Sequence, residues 1–243
     1  MKILIVGPSW VGDMVMAQTL FQCLKQRHPE CEIDVLAPEW SRPILERMPE
    51  VRAALSFPLG HGALELATRR RIGKSLAGQY DQAILLPNSL KSALVPFFAG
   101  IPKRTGWRGE FRYGLLNDVR TLDKQRYPLM IERFMALAFD KGAELPRPYP
   151  RPSLRIDPTT RDAALSKFGL TLDRPVLALC PGAEFGESKR WPAEHYAQVA
   201  DASIREGWQV WLFGSKKDHP VGESIRQELI PGLREESVNL SGE

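Results

Sequence analysis

The apolar run near the start of the chain most constrains its fold. Residues 3–6 read Ile-Leu-Ile-Val and are followed by Gly7, which predicts a strand buried on both faces in a parallel sheet. The next segment, 13–27, is predicted to be helical because apolar residues recur there at i, i+3, i+4 and i+7 (Ala17, Leu20, Phe21 and Leu24). Asp13 therefore falls at a strand-to-helix turn, on the edge of the sheet where open α/β folds bind ligands.

The same alternation of strand and helix continues through the first half of the chain. It predicts an α/β fold whose parallel, doubly wound sheet has helices on both faces. Strands are predicted at 2–7, 32–38, 53–58, 81–87 and 103–107, and helices at 13–27, 41–48, 62–78, 89–99 and 127–142.

A proline-rich segment then interrupts the pattern. Residues 145–152 carry four prolines in seven positions, which favours an extended linker and excludes a helix. We predict two domains, 1–150 and 151–243. The second has helices at 159–168, 192–206 and 219–229 and only three strands, at 175–180, 208–213 and 237–240, so it is expected to be incomplete.

Composition narrows the class of protein. Hydrophobic residues make up 43% and charged residues 26%, which is typical of a globular protein. Neither a membrane-spanning run nor a signal peptide is evident, and three scattered cysteines indicate a reducing compartment. Residues 1–150 carry 21 Lys and Arg against 15 Asp and Glu, which favours an anionic partner, although no aromatic-interleaved basic strand indicates nucleic acid.

The first loop has the glycine spacing of a phosphate-binding loop, from Gly7 to Gly12. Asp13 and Met14 then occupy the positions at which such a loop needs Lys and Ser or Thr, so ATP or GTP hydrolysis is not expected there. Two alternatives remain for Asp13. It is either the N-cap of the helix or a general base that takes a proton from an acceptor hydroxyl.

Three further segments have both a functional and an ordinary structural interpretation. The loop 180–192 follows a strand and runs into a helix at Pro192, so its glycines, Lys189 and Arg190 form either a diphosphate cradle or a solvated loop. Gly214 and Ser215 follow the next strand and lie either near a nucleoside or in a plain turn. The basic run Arg69, Arg70 and Arg71 is either a solvated helix face or a phosphate site.

Two long motifs carry a family resemblance. Residues 8–18, Pro-Ser-Trp-Val-Gly-Asp-Met-Val-Met-Ala-Gln, and residues 181–192, Pro-Gly-Ala-Glu-Phe-Gly-Glu-Ser-Lys-Arg-Trp-Pro, resemble the ADP-heptose:lipopolysaccharide heptosyltransferases. These are inverting glycosyltransferases of family 9 with the GT-B fold, in which two Rossmann-like domains face each other across a cleft.

The resemblance implies a role for each domain and no cofactor or metal. The N-terminal domain would hold the acceptor, an inner-core heptose on Kdo2-lipid A, and the C-terminal domain would hold ADP-L-glycero-D-manno-heptose. The enzyme would be cytoplasmic, with peripheral contact to the inner membrane. By position in the motifs, Asp13 matches the base. The residues expected to bind the donor are Lys189, Gly182, Ala183, Arg190, Gly214 and Ser215, and those expected to bind the acceptor are Ser9, Trp10, Gly12, Asn88, Arg69 and Arg70.

Three other functions stay open at this point. A nucleotide-sugar epimerase could use the same fold, but no convincing second acid/base group lies near the loops. A lipid-surface module would bind the acceptor without chemistry. Within the family, enzymes that use other inner-core acceptors are not separated by this sequence.

The resemblance also generates a prediction about donor binding. The family carries a later Asp-Ser/Thr-Gly-x-x-His segment beside the nucleotide sugar, and it is not found in these 243 residues. We therefore expect the 243-residue polypeptide alone to bind ADP-heptose weakly and to transfer little sugar. Calorimetric titration tests this, and tight donor binding would contradict it.

Overall fold

Two compact units make up the computed structural model, which describes residues 1–58, 64–183 and 186–243. The first unit spans Met1–Ile156 and the second spans Asp157–Glu243. Both are built on parallel strands, as the alternation of strand and helix predicts.

The first unit contains a six-stranded parallel sheet in the order β3-β2-β1-β4-β5-β6. This order is the doubly wound arrangement, with β1 paired to β2 on one side and to β4 on the other. The predicted strands are confirmed to within about two residues. The strands are β1 (Lys2–Val6), β2 (Glu32–Ala37), β3 (Val51–Ser56), β4 (Gln82–Leu85), β5 (Lys103–Trp107) and β6 (Asp118–Arg120).

One strand of this sheet, β6, is not predicted from the sequence. It has only three residues, two of them charged, so it shows no apolar periodicity. It forms because it pairs with β5 in parallel register, with Trp107 opposite Arg120. Its existence therefore depends on a tertiary contact rather than on a local pattern.

Five α-helices accompany the sheet of this unit in the described residues. The predicted helices at 41–48, 89–99 and 127–142 are shorter than expected. Leu90–Ala93 and Ala136–Ala138 are 3-10 helix, and residues 46–48, 127–129 and 139–142 lie outside any helix. The first two residues of the predicted helix 62–78 lie outside the described residues. The helices are α1 (Val11–Arg27), α2 (Arg42–Leu45), α3 (Leu66–Ser75), α4 (Leu94–Phe98) and α5 (Met130–Met135).

The inner face of α1 confirms the predicted spacing. Its four apolar residues at i, i+3, i+4 and i+7 are all buried and belong to one cluster with the inward side chains of β1 and β2. Burial of each large apolar side chain in such a cluster contributes about 2 kcal/mol. This packing fixes α1, and with it the loop 7–10, against the sheet.

Residues 150–156 are held against α1. The Gln18 side chain donates to the carbonyl of Ser153 (2.9 Å) and accepts from its amide (2.8 Å), and the Thr19 hydroxyl donates to the carbonyl of Pro150 (3.1 Å). The amide of Arg155 donates to the carbonyl of Arg47 (2.8 Å). The residues just after the predicted boundary at 150 therefore lie within the first compact unit.

The second unit contains a three-stranded parallel sheet in the order β7-β8-β9. Its core joins Leu179, Val210 and Leu212 of the sheet to Ala200 and Ile225 of two helices. The elements are α6 (Pro158–Phe168), β7 (Val176–Leu179), α7 (Ala193–Arg205), β8 (Gln209–Leu212), α8 (His219–Glu228) and β9 (Ser237–Asn239), with 3-10 turns at Glu187–Lys189, Lys216–Asp218 and Pro231–Glu236.

A buried carboxylate ties three strands of the first unit together. Asp34 on β2 accepts from the guanidinium of Arg52 on β3 (2.9 Å for Nε) and from the hydroxyl of Tyr80 just before β4 (2.6 Å). Arg52 also pairs with Glu32, which is half exposed. The two carboxylates thus share one cation but differ in burial.

This difference predicts unequal effects on stability. Asp34→Asn should lower the free energy of unfolding by about 2 kcal/mol, because the buried hydroxyl of Tyr80 and the half-exposed guanidinium of Arg52 lose a buried, charged acceptor. Glu32→Gln, the matched control on the same arginine, should lower it by less than about 0.5 kcal/mol. Urea unfolding measures both, and equal losses would show that burial does not set the contribution of these carboxylates.

Candidate functional site at the carboxyl edges of the two sheets

An open pocket with a cavity volume of about 90 Å³ lies at the carboxyl edge of the first unit's sheet. The residues at or just after the ends of three adjacent strands line it: Gly7 after β1, Pro38 after β2 and Pro87 after β4. Carboxyl edges of open α/β sheets are where ligands bind, so this is the candidate site of the first unit. Its other walls include Ser9, Trp40, Phe57, Arg69, Ser89, Lys91 and Ser92.

Asp13 lies at this edge, as the third residue of α1. The N-cap of the helix is Trp10 and no side chain caps it, so the N-cap alternative for Asp13 is wrong. The carboxylate is partly buried, and none of the described residues donates a hydrogen bond to it or forms an ion pair with it. Burial raises the pKa of the Asp13 carboxyl above the usual aspartate range.

These properties suit proton abstraction. A carboxylate that accepts several amide hydrogen bonds loses basicity, whereas a partly desolvated and unpaired one gains it. The nearby N-terminus of α1 favours the ionised form, but burial prevails in the net shift of the Asp13 pKa. The side chain thus combines a raised affinity for a proton with lone pairs that none of the described residues uses.

The structure brings some of the predicted acceptor residues to the pocket and not others. Ser9 lines it, and its carbonyl accepts from the indole of Trp40 (2.9 Å). Trp10 and Gly12 are exposed at the start of α1. Asn88 is exposed beside the pocket, where its side-chain oxygen accepts from Arg112 (3.3 Å).

Within the basic run, Arg69 is buried and Arg70 is exposed. Arg69 is buried in the pocket wall, where it donates to the carbonyls of Leu64 and Lys91 and stacks on the ring of Phe57. Burial also lowers the pKa of Arg69. Arg70 is exposed, because consecutive side chains point in different directions around a helix.

Trp40 and Lys91 are pocket residues that sequence reasoning missed. Both lie within six residues of a strand end, Trp40 after β2 and Lys91 after β4. The rule that singled out Asp13 after β1, applied equally to the other strands, would have selected them.

In the second unit, several predicted donor-binding residues surround one carboxylate that sequence reasoning also missed. The amide and hydroxyl of Ser215 both donate to Asp218 (2.8 and 2.7 Å), which holds the pKa of that carboxyl below its usual range. A Cβ on Gly182 would lie 2.5 Å from the Asp218 carboxylate, and one on Gly214 would lie 2.7 Å from its Cβ. Ser-x-x-Asp is capping-box spacing and is the signal that would have found Asp218.

The two predicted cations of the donor loop lie at the surface. Neither Lys189 nor Arg190 forms a hydrogen bond or ion pair through its side chain with any residue that the structure describes, although the charge of Arg190 helps to lower the pKa of Asp218. Both side chains are exposed and therefore accessible to an anion. Ala183 is partly buried, and residues 184–185 of the motif lie outside the described residues. Pro192 is the N-cap of α7 rather than its first helical residue, which corrects the predicted helix start by one position.

Two parallel α/β units in one chain, each with functional candidates on the carboxyl edge of its sheet, are the features of a GT-B glycosyltransferase. None of the helices in the described part of the chain combines the length and hydropathy of a membrane span.

Comparison with known proteins identifies the family. A model of glycosyltransferase family 9 (heptosyltransferase) matches residues 69–243. The chain is 55% identical to lipopolysaccharide heptosyltransferase 2 of Escherichia coli and 56% identical to lipooligosaccharide heptosyltransferase 2 of Haemophilus influenzae, in both cases over 100% of this chain and 72% of the relative. A solved structure of E. coli ADP-heptose LPS heptosyltransferase II superposes with a TM-score of 0.91 at 52% identity, over 100% of this chain and 73% of that one. The chain therefore belongs to glycosyltransferase family 9, the heptosyltransferase family.

Gly12 and Gly182, one from each candidate site, differ in the space that their surroundings leave for a side chain. A Cβ on Gly12 would meet no atom within 4 Å, whereas a Cβ on Gly182 would collide with Asp218. We expect Gly12→Ala to raise stability by up to about 1 kcal/mol, since alanine favours a helix, while weakening the binding of acceptor. Gly182→Ala should instead lower the melting temperature.

Thermal unfolding of both variants and the acceptor Kd of Gly12→Ala provide the measurement. An unchanged acceptor Kd for Gly12→Ala would show that Gly12 is not part of the acceptor site.

Proposed function

We propose that the chain is a heptosyltransferase of lipopolysaccharide core biosynthesis, with the acceptor specificity of heptosyltransferase II. Its donor would be ADP-L-glycero-D-manno-heptose, and its acceptor would be an inner-core heptose on Kdo2-lipid A. The observation that carries the chemical part of this proposal is the unpaired, partly desolvated carboxylate of Asp13 at the carboxyl edge of the first sheet. The 55% identity to lipopolysaccharide heptosyltransferase 2 supports the choice of substrates.

Asp13 would act as the general base. In the proposed step, the acceptor oxygen forms a bond to the anomeric carbon of the heptose while that carbon loses its bond to the diphosphate oxygen. The hydroxyl proton passes to the Asp13 carboxylate, and ADP leaves with the bonding electron pair. A single displacement of this kind inverts the anomeric centre.

Lys189 and Arg190 would stabilise the negative charge that develops on the leaving ADP. Both are exposed on the loop between β7 and α7, close in sequence to the start of α7. That helix begins without a side-chain cap, so its amide groups contribute positive potential near its N-terminus. Such donors act most strongly on charge that grows in the transition state.

The loop around Asp218 would contribute to the nucleotide side of the donor site. Gly182 and Gly214 both lie against Asp218, so the loops after β7 and β8 are packed together at one sheet edge. We propose that Gly182, Ala183, Gly214 and Ser215 form the surface on which the nucleotide rests, with the Ser215 hydroxyl positioned by Asp218.

Residues of the first unit would hold the acceptor. Ser9 and Arg69 line the pocket. Trp10 and Gly12 lie at the start of α1, and Asn88 lies on the segment after β4, at the same sheet edge. Arg70 is exposed and would meet phosphate groups of the lipid-linked acceptor. Because this acceptor is anchored in a bilayer, the enzyme would work in the cytoplasm in peripheral contact with the inner membrane.

Product analysis separates the proposed transfer from its rivals. The 243 residues are joined to the part of the E. coli relative that they do not span, and the hybrid is incubated with ADP-heptose with and without defined truncated lipopolysaccharides. Mass spectrometry should show one added heptose only when acceptor is present. Conversion of the donor alone would indicate an epimerase, and acceptor binding without product would indicate a lipid-surface module.

The proposed roles of Asp13 and Lys189 predict different kinetic signatures in this hybrid. Asp13→Asn should lower kcat by at least about 100-fold with unchanged donor affinity, because only the proton acceptor is lost. The rate of the parent enzyme should fall as the pH decreases through the Asp13 pKa, at a pH above the usual aspartate range, because protonation removes the base. Lys189→Ala should instead raise the donor Kd as well as lower kcat.

Stability serves as the control for Asp13→Asn. The pKa of Asp13 is raised in the folded protein, so its ionised form disfavours folding, and the asparagine variant should melt at the same temperature or higher near neutral pH. Near-normal turnover of a fully folded Asp13→Asn protein would show that the base lies elsewhere.

A further inference from the structure

A loop on the first unit, which we call the aromatic loop (residues 108–114), presents two aromatic side chains to solvent. Phe111 is 85% exposed and Tyr113 is 65% exposed. Among the large apolar side chains in the described ranges, Phe111 has the highest exposed fraction. Placing an aromatic ring in water is unfavourable, so its position calls for a physical cause.

The cause is a buried arginine between the two aromatic residues. Arg112 is 2% exposed, and its guanidinium donates to the carbonyl of Pro87 (2.7 Å), to the Ser92 hydroxyl (3.2 Å) and to the carbonyl of Trp107. Because residue 112 points inward, its neighbours at 111 and 113 project outward. The hydrogen bonds of Arg112 therefore fix the loop in a conformation that keeps Phe111 and Tyr113 exposed.

A second contact fixes the start of the loop. The Glu110 carboxylate accepts from the amide of Leu90 (2.9 Å), and the amide of Glu110 donates to the carbonyl of Asn88 (3.2 Å). A Cβ on Gly109 would lie 2.2 Å from that same carbonyl, so only glycine fits the approach. The aromatic loop is thus attached to the segment that follows β4.

That segment is also a wall of the pocket in the first unit. Pro87 and Ser92 both line the pocket and both receive hydrogen bonds from Arg112. The aromatic loop and the pocket are consequently connected through one buried guanidinium. A surface that binds to the loop would be held at a fixed position relative to the pocket.

The surroundings of the aromatic loop are cationic. Apart from the buried Arg112, residues 91–117 contain four Lys and Arg against one Glu. Arg108 is exposed, and no described residue pairs with its guanidinium. Arg104 donates to the carbonyl of Gly114 (3.5 Å) and lies over the ring of Phe97, which is itself 42% exposed.

Exposed aromatic rings beside arginines favour binding to the interfacial zone of an anionic bilayer. Aromatic side chains concentrate at the boundary between headgroups and acyl chains, and basic residues are attracted to anionic lipids. A second copy of the chain would bring the same basic surface against itself. A few projecting side chains also fall well short of the roughly 800 Å² per partner that a stable protein interface buries.

We propose that Phe111 and Tyr113 insert into the interface of an anionic phospholipid bilayer, with Arg108 bound to the headgroups. This inference rests on the proposed function, since it supplies the means by which an acceptor embedded in a bilayer reaches the pocket. It requires no movement of the loop, because the aromatic side chains are already exposed.

Vesicle co-sedimentation of the 243-residue chain tests the proposal without any sugar transfer. We expect the chain to sediment with vesicles of equal parts phosphatidylcholine and phosphatidylglycerol, and far less with pure phosphatidylcholine or at high salt. The double variant Phe111→Ser/Tyr113→Ser should lose about tenfold or more in partitioning, and Arg108→Glu should lose a similar factor. Leu172→Ser, which removes a 54% exposed apolar side chain of the second unit, is the matched control and should partition like the parent.

Two results would overturn the proposal. One is that the parent chain does not sediment with anionic vesicles. The other is that the double variant sediments as well as the parent. If the double variant instead abolishes self-association measured by sedimentation velocity, while vesicle binding persists, the patch binds a second copy and the membrane assignment is wrong.

An activity experiment distinguishes this inference from the proposed function. In the hybrid enzyme, the double variant should retain transfer to a delipidated, water-soluble acceptor and lose transfer to acceptor embedded in anionic vesicles. Failure of transfer with both acceptors by the parent hybrid would contradict the proposed function and leave the vesicle-binding result as an independent finding.

Discussion

The parallel pairing of β1 between β2 and β4 is the constraint on which the rest of the first unit depends. It brings the loops that follow these three strands to one edge of the sheet, where they enclose the pocket. The close approach of α1 follows from it. A Cβ on Gly7 would lie 2.7 Å from the end of the Met14 side chain and 3.1 Å from Val35, so a side chain there would displace the end of Met14 and press on Val35. This tight turn places Asp13 in the first turn of the helix at the edge of the sheet.

The environment of Asp13 differs from that of other acidic residues in the molecule. Asp34 accepts hydrogen bonds from Arg52 and Tyr80, and Asp218 accepts two from Ser215, so both have structural partners. Asp13 is partly desolvated without such compensation from any described residue, and its pKa is raised as a result. A carboxylate with a raised pKa and no compensating partner is a candidate functional group. The family to which the chain belongs supports this interpretation of Asp13, because transfer of a sugar to a hydroxyl requires an acceptor for a proton.

Periodicity was sufficient to predict the main elements of the fold. The buried strands β1, β2 and β4 and the apolar face of α1 follow directly from runs and spacings in the sequence. The parts that were not predicted depend on contacts between distant residues. The strand β6 forms only by pairing with β5, and the helix ends move where 3-10 turns replace α-helix. The motif of the second unit was recognised from its sequence. That Gly182 and Gly214 pack against Asp218, and that Ser215 donates hydrogen bonds to it, is known only from the structure.

The same distinction applies to the site in the first unit. Asp13 was singled out in the segment that follows β1, whereas the same rule was not applied to the segments after β2 and β4, where Trp40 and Lys91 lie. Arg112 had no local signal at all, since its burial depends on carbonyl groups at residues 87 and 107. The basic run shows the opposite error of sequence reasoning, because three consecutive arginines suggest one patch although Arg69 is buried and Arg70 is exposed.

The proposed role of Asp13 depends on a carboxylate that is partly desolvated and accepts no hydrogen bond from the described residues. Carbon-13 NMR titration of the aspartate carboxyl resonances of the 243-residue chain measures this directly, with the Asp13→Asn variant used to assign the signal. We expect the titration midpoint of Asp13 to lie above the ordinary aspartate pKa of about 3.9. A midpoint at or below that value would mean that the carboxylate is solvated or hydrogen-bonded, and it would contradict the assignment of Asp13 as the base.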